Sequence, residues 1–300
     1  IDFPLNLINV IQNLPLGQII NIIFENTLGR LSKKKFPKDF REMAYGQYGK
    51  TLANLFLINY TEKLWGEDAS KLQTNISGDR LKDLNLFSIF FDMIKNNIDS
   101  NHLDGSFYYP KNGYGTIFEK MADNIGYENI KLNSEIKKII HDGKIITDIE
   151  YGDGQRVNVE NVINTLPLNS SLLMFDPLPP NRILDIVKKL KFRSLKLFVL
   201  FLDIPYLSKN ASIYFPQISN PITRIYESKN RSIHMAPTDK TSLVVEIPYD
   251  AKDQIDLMSD SDISEMVISR LRKDHFINKR DVIGSKIYNI ANAYPILSIG

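Results

Sequence analysis

Tyr60-Thr61-Glu62-Lys63-Leu64-Trp65-Gly66 gathers more ligand-handling groups than any other run of this chain, and it holds the single tryptophan. An indole beside Tyr, Lys and Glu can stack on a flat ligand and still donate its N–H. On these residues alone, a tryptophan plugging a helix end in the core is the simpler reading. Two arginines could fix an anion: Arg80, downstream of that run, and Arg224 in Thr223-Arg224-Ile225-Tyr226-Glu227-Ser228-Lys229. A guanidinium suits a diphosphate because its planar fork makes two charge-assisted hydrogen bonds at once. On a strand, Arg224 and Tyr226 share one face while Thr223, Ile225 and Glu227 share the other. The plain alternative is a surface strand with Arg224 and Glu227 in water.

Several chemistries are excluded. With 0 cysteines there is no disulfide, thiolate nucleophile or Cys-based metal site. His102, His141, His234 and His275 are far apart and lack ligand spacing, which argues against zinc. No Ser/His/Asp order and no persuasive acidic pair is present, a pattern expected where a cofactor carries the reaction. The formal charge of +2 gives no case for a nucleic-acid partner. Lys33-Lys34-Lys35 reads as a solvated helix end. The apolar stretch 14–24 is too short to span a bilayer, and no secretory start is visible. A cytoplasmic protein with a small-molecule substrate and no transmembrane segment is expected, with a homodimer left open.

Apolar spacing predicts helices over 5–11, 19–31, 40–58 and 84–98, with Gly66 as a stop just before which Trp65 stands past its helix. After residue 101 the texture changes. Lys111-Asn112-Gly113-Tyr114-Gly115 is a glycine loop before a helix over 116–125, with Thr116 as N-cap. Strands over 130–141, 144–151 and 155–159 form a meander with turns at Asp142-Gly143 and Asp153-Gly154. The apolar run 161–167 predicts a buried strand. Beyond it come a helix over 181–190, strands over 195–202, 212–215, 223–226 and 241–248, a helix over 260–275 capped by Ser259 or Asp260, and a strand over 283–291. Neither Gly113-Tyr114-Gly115 nor Gly152-Asp153-Gly154 opens a Gly-x-Gly-x-x-Gly fingerprint. The amides after the first could still face a phosphate. This alternation argues for a mixed α/β protein with a substantial antiparallel sheet.

Taken in order, the segments resemble the UDP-galactopyranose mutases and their relatives among the FAD-dependent amine oxidase and protoporphyrinogen oxidase-like proteins. The tryptophan run is similar to Tyr-Thr-x-Lys-Gln-Trp-Gly of the mutases, with Leu64 in place of the glutamine. Tyr109-Pro110-Lys111-Asn112-Gly113-Tyr114-Gly115 resembles their Tyr-Pro-x-x-Gly-x-Gly segment, and Thr223 to Lys229 their Thr-Arg-Ile-x-Glu-x-Lys element. Arg80 resembles the arginine downstream of the tryptophan, although the mutases' paired arginines are not reproduced in Asp79-Arg80-Leu81-Lys82.

The resemblance implies a glutathione-reductase-like α/β fold: a partial FAD domain with a mixed helical and antiparallel-sheet substrate domain. It places a helical part of the substrate domain over 1–105 and an FAD-domain portion over 106–170. The substrate-domain sheet and helices follow over 171–292, and a return to the FAD domain begins at 293–300. Gly113, Tyr114, Ile136, Thr165 and Pro167 would meet FAD. Trp65 would stack in the substrate cleft, Arg80 and Arg224 would face the diphosphate, and Tyr294 would lie near the flavin–sugar junction. The implied activity is mutase-like, with flavin N5 acting on the anomeric carbon of a nucleotide-sugar or related envelope precursor. The alternatives are an oxidase or desaturase of a porphyrinogen, polyene or amine, with Phe87, Phe90 and Phe91 lining an apolar cleft, and a non-catalytic binding module. The N-terminal fingerprint and C-terminal FAD segment of such proteins have no counterpart in these residues, so the chain is expected to be the middle of a longer protein.

Overall fold

The computed structural model describes residues 12–28, 36–76 and 107–299. The expectations for 5–11, Lys33 to Lys35, Arg80, the helix over 84–98 with its phenylalanines, and His102 lie outside those residues. The chain divides into two compact units, one made of residues up to 111 and from 193 onward, the other of residues 112–192.

The first unit opens with α1 (Leu16–Leu28) and α2 (Phe40–Tyr48). Asp39 starts α2 by accepting the Glu42 amide at 2.8 Å, satisfying an orphan donor of the first turn. The single helix expected over 40–58 breaks at Gly49, whose φ of +77° is available to glycine at little strain. A short helical turn (Lys50–Ala53), a π turn (Asn54–Ile58) and α3 (Asn59–Trp65) follow. The π turn adds one residue and so offsets the faces on either side of it by about 100°. Trp65 is thus the last residue of a helix, not a residue just past one, and left-handed Gly66 (φ +67°) ends it as expected. Phe40, Ala44, Tyr48, Leu52, Ile58 and Leu72 make the core of this part. Residues 71–73 hydrogen-bond to 297–299: Gln73 N–H donates to the Leu297 carbonyl at 3.0 Å, and Ile299 N–H to that of Lys71 at 2.8 Å.

In the second unit α4 (Gly115–Ile125) has Tyr114, not Thr116, at its N-cap, and no side chain caps it. Thr116 already lies inside the helix, its amide donating back to the Gly113 carbonyl. No residue of α4 is buried, and Ile117, Phe118, Met121 and Ile125 all face outward. The meander forms as expected from β1 (Ile136–His141), β2 (Ile146–Tyr151) and β3 (Arg156–Asn158), joined at Asp142-Gly143 and Asp153-Gly154. With β4 (Phe175–Asp176) parallel to β1, the sheet order is β3-β2-β1-β4. The strand expected over 161–167 does not form, and Ile163 is 94% exposed. A strand needs a hydrogen-bonding neighbour, and no described residue supplies one. The unit closes with α5 (Asn181–Val187).

The first unit resumes in a five-stranded sheet. β5 (Phe192–Leu202), β6 (Ile213–Tyr214), β7 (Arg224–Glu227), β8 (Thr241–Tyr249) and β9 (Val282–Pro295) stand in the order β6-β7-β8-β5-β9. Alternation sends Phe198, Leu200, Ile225, Leu243, Val245 and Ile247 to one face. There they bury Ile263, Val267 and Leu271 of α6 (Asp260–Lys273). Ser259 and Asp262 form a reciprocal capping box at its start. The opposite face carries Arg224 directly across from Glu246. The mixed helical and antiparallel-sheet α/β fold expected from the sequence is the one observed.

Candidate active site

The tryptophan run is first a structural hub. Thr61 is buried. The Glu62 carboxylate accepts from Arg41 at 2.6 Å and from the Ala69 amide at 3.0 Å. Lys63 Nζ donates to the carbonyls of Gln217 (3.1 Å), Asn220 (3.0 Å) and Ile222 (2.8 Å), and also to that of Phe215. Arg193, ion-paired with Asp250, donates to the Lys63 and Leu64 carbonyls, each at 3.3 Å. A Cβ on Gly66 would meet that guanidinium at 2.7 Å. Burial, and next the charge of Arg270, push the Lys63 ammonium down to about 8. Tyr60 and Trp65 are the members of the run whose rings reach other aromatic groups. Trp65 meets Tyr294 edge-to-face at 5.8 Å, and Tyr60 meets Tyr214 likewise at 5.7 Å.

Tyr60 joins α3 to the sheet. Burial pushes its phenol well above the usual value, Tyr214, Glu246 and Tyr294 add to the rise, and Arg224 opposes it. The cluster therefore spans β6, β7, β8, the end of β9 and α3. Arg224 and Tyr226 are half-buried on this face while Ile225 and Glu227 are buried on the other, as strand alternation predicts. The surface-strand alternative fails for Glu227, which is 1% exposed and accepts from the amides of Leu207 and Ser208 and from the Thr241 hydroxyl. Lys229 is likewise spent on the carbonyls of Pro205, Pro237, Thr238 and Lys240.

Arg224 is clamped by Glu246. Its Nε donates to one carboxylate oxygen at 2.9 Å and a terminal nitrogen to the other. Burial works against its charge, but the hydrogen bond to Glu246 and that residue's own charge outweigh burial and hold it protonated more firmly than usual. The guanidinium lies 5.3 Å from the Tyr226 ring centre and 6.0 Å from that of Tyr214. Arg231 covers Tyr226 at 5.5 Å. Among the described residues Arg231 has no carboxylate partner.

Tyr214, Arg231 and Glu246 were not singled out from the sequence, and Tyr60 entered it only as a member of the tryptophan run. Glu246 carried a readable signal, since a carboxylate inside Leu243-Val244-Val245-Glu246-Ile247 must be paired to be buried. Arg231 carried none.

In the second unit, Gly113 adopts φ +96° just before α4. The first turn of α4 holds no acidic residue and no side-chain cap, so its positive end is uncompensated. Tyr114 stands there, edge-on to Phe118 at 5.6 Å. β4 pairs only with Ile139 and Ile140, which leaves the outer backbone edge at Ile136 without a strand neighbour among the described residues. Thr165 is exposed, and Pro167 caps the short helix Leu168–Ser171. An uncapped helix start, a glycine that lets backbone approach closely and a free strand edge fit a dinucleotide's phosphate, ring edge and adenine.

Residues 55–260, which include the tryptophan run, β1 to β8 and the Arg224 clamp, match the family model described as GLF, UDP-galactopyranose mutase. The chain belongs to this family. A crystal structure of reduced UDP-galactopyranose mutase is similar over 97% of this chain and 63% of its own, with a TM-score of 0.80 at 20% identity. A candidate protoporphyrinogen oxidase from Exiguobacterium covers 96% of this chain and 62% of its own (TM-score 0.70, 14% identity). Cyclohexylamine oxidase from Brevibacterium oxydans covers 96% and 65% (TM-score 0.59, 12% identity). The chain thus spans a little under two thirds of the length of these proteins, and the likenesses carry the fold. The mutases and the amine-oxidase relatives are FAD-dependent flavoproteins.

Proposed function

We propose that the protein is an FAD-dependent, mutase-type enzyme acting on a nucleotide-sugar used as a cell-envelope precursor, with the tyrosine–arginine wall holding the diphosphate. The wall is the observation that carries this reading. Arg224 lies against the rings of Tyr214 and Tyr226, Arg231 against that of Tyr226, and Tyr60 meets Tyr214. The phenols of Tyr60 and Tyr226, pushed further up by burial, stay protonated hydrogen-bond donors well above neutral pH. Glu246 fixes the plane of Arg224 and takes its charge, so among the described residues of the wall Arg231 is the cation left to neutralise a phosphate. Trp65 and Tyr294 offer an aromatic corner for a flat or ring-shaped group.

Gly113, Tyr114, Ile136, Thr165 and Pro167 would hold the flavin, which when bound supplies the nucleophile toward the anomeric carbon. The side chains of the wall bind, orient and neutralise, which agrees with the lack of an acid–base pair in the sequence. An oxidase or desaturase of an apolar substrate is favoured in one respect, because Glu246 leaves Arg224 little free charge. Reduced, flavin-loaded protein incubated with UDP-galactopyranose separates the two. Ring-contracted product without net consumption of reductant supports the mutase. In a parallel sample with oxidised flavin, reduction of that flavin by an amine or porphyrinogen, with the nucleotide-sugar untouched in the reduced sample, points to the oxidase.

A further inference from the structure

A hollow of about 930 Å3 in the first unit lies away from the wall at the C-terminal end of α6. α6 packs on the apolar face of the sheet, whereas Arg224 and Tyr226 occupy the other. Arg272, Lys273 and His275 line one part of the hollow, and Lys279 and Arg280 another, with Ser269 and Asn278 between the charges. Its lining contains no carboxylate.

The geometry is held from below. The chain reverses at His275 in the left-handed region (φ +58°), and the Phe276 amide donates back to Leu271 at 2.9 Å. Phe276 then packs edge-on against Phe215 at 5.8 Å, and Ile277 is buried. A capping box between Asn278 and Asp281 sets the turn that presents Lys279 and Arg280.

Cations in the last turn of a helix answer its dipole, which accounts for Arg272 and Lys273. It does not account for Lys279 and Arg280, which follow the reversal and line the same hollow. Arg270 is paired with Asp274 at 2.8 Å, and Arg280 has Asp281 at 3.7 Å. Among the described residues Arg272, Lys273 and Lys279 have no acidic partner. Four fixed positive charges in a chain whose net charge is +2 make this a local concentration, not a general property of the surface. Two guanidinium forks and two ammonium groups around one concavity match an anion with several oxygens and more than one charge.

We propose that this hollow is a second anion site, which binds the phosphates of a free di- or polyphosphate or of a phospholipid headgroup. The test uses the full chain in an Arg231→Ala background, so that the wall contributes little. Inorganic pyrophosphate is titrated by calorimetry, and phosphatidylglycerol vesicles are compared with phosphatidylcholine vesicles by co-sedimentation. Arg272→Glu/Lys279→Glu, both at exposed positions, should weaken binding by about a hundredfold, with an unchanged circular dichroism spectrum. Lys209→Glu/Lys286→Glu, the same charge change elsewhere, should not. Binding of pyrophosphate assigns the site to a free phosphate, and binding of anionic vesicles alone assigns it to a headgroup. No binding of either probe, or equal loss in both double variants, overturns the proposal.

Discussion

Arg224 shows how one pair can look like a ligand site and yet be closed. Its fork is occupied by Glu246 through both oxygens, and the pair is largely removed from water. Breaking such a pair strands a charge, whereas replacing both partners with apolar groups does not. Glu246→Ala should therefore lower stability by about 3–5 kcal/mol, while Arg224→Met/Glu246→Leu should lie much nearer wild type. A chemical-denaturation double-mutant cycle reads this directly, and additive losses would show that the pair does not act as a unit. Gly66 is a second single-residue test. Alanine there must adopt φ +67° and push a Cβ to 2.7 Å from Arg193. We expect Gly66→Ala to destabilise by about 1–3 kcal/mol, and an unchanged melting temperature would contradict the hub assigned to this turn.

At the scale of elements, α3 is tied to the loop between β6 and β7 by Lys63 and its four carbonyl acceptors. Lys63→Met leaves those acceptors to find water or remain unpaired, so a loss of about 2–4 kcal/mol is expected. The sign of the pH effect follows from the lowered ammonium. Between its folded value of about 8 and the ordinary lysine value of 10.5, the unfolded chain binds more protons at this site. This group therefore makes stability rise with pH across that window, and Lys63→Met should remove that part of the slope in denaturation curves taken from pH 7 to 10. A slope unchanged by the substitution would contradict a lowered Lys63 ammonium in the folded chain. Much of this architecture was legible in the residues. Asp142-Gly143 and Asp153-Gly154 announced the meander, and Ser259, one of the two caps offered by the sequence, announced α6, because turn and cap chemistry is local. The run over 161–167 misled because its apolar pattern could not say whether a neighbouring strand would be there to pair. The break at Gly49 and the π turn were hidden, since apolar spacing runs through both. Alternation placed Arg224 and Tyr226 on one face. The Glu246 clamp and Arg231 depend on strand register and loop path, which no local pattern encodes.

For the whole molecule, the second unit shows an apolar helix face to solvent, with Phe118 58% and Met121 53% exposed. Such a face promotes association, so Phe118→Glu should shift the chain toward smaller species in analytical ultracentrifugation without changing its fold. No shift would show that the face is not adhesive. The central claim rests on the first unit, where the tyrosine–arginine wall is assigned to a diphosphate. Titrating UDP into the flavin-loaded protein, followed by Trp65 fluorescence, tests it most directly. Saturable binding is expected in the wild type, weakened about ten- to hundredfold in Arg231→Ala through loss of a charge-assisted contact, with lysine at that position rescuing only part of it. A wild type that does not respond to UDP, or an Arg231→Ala variant that binds UDP as the wild type does, would contradict the account.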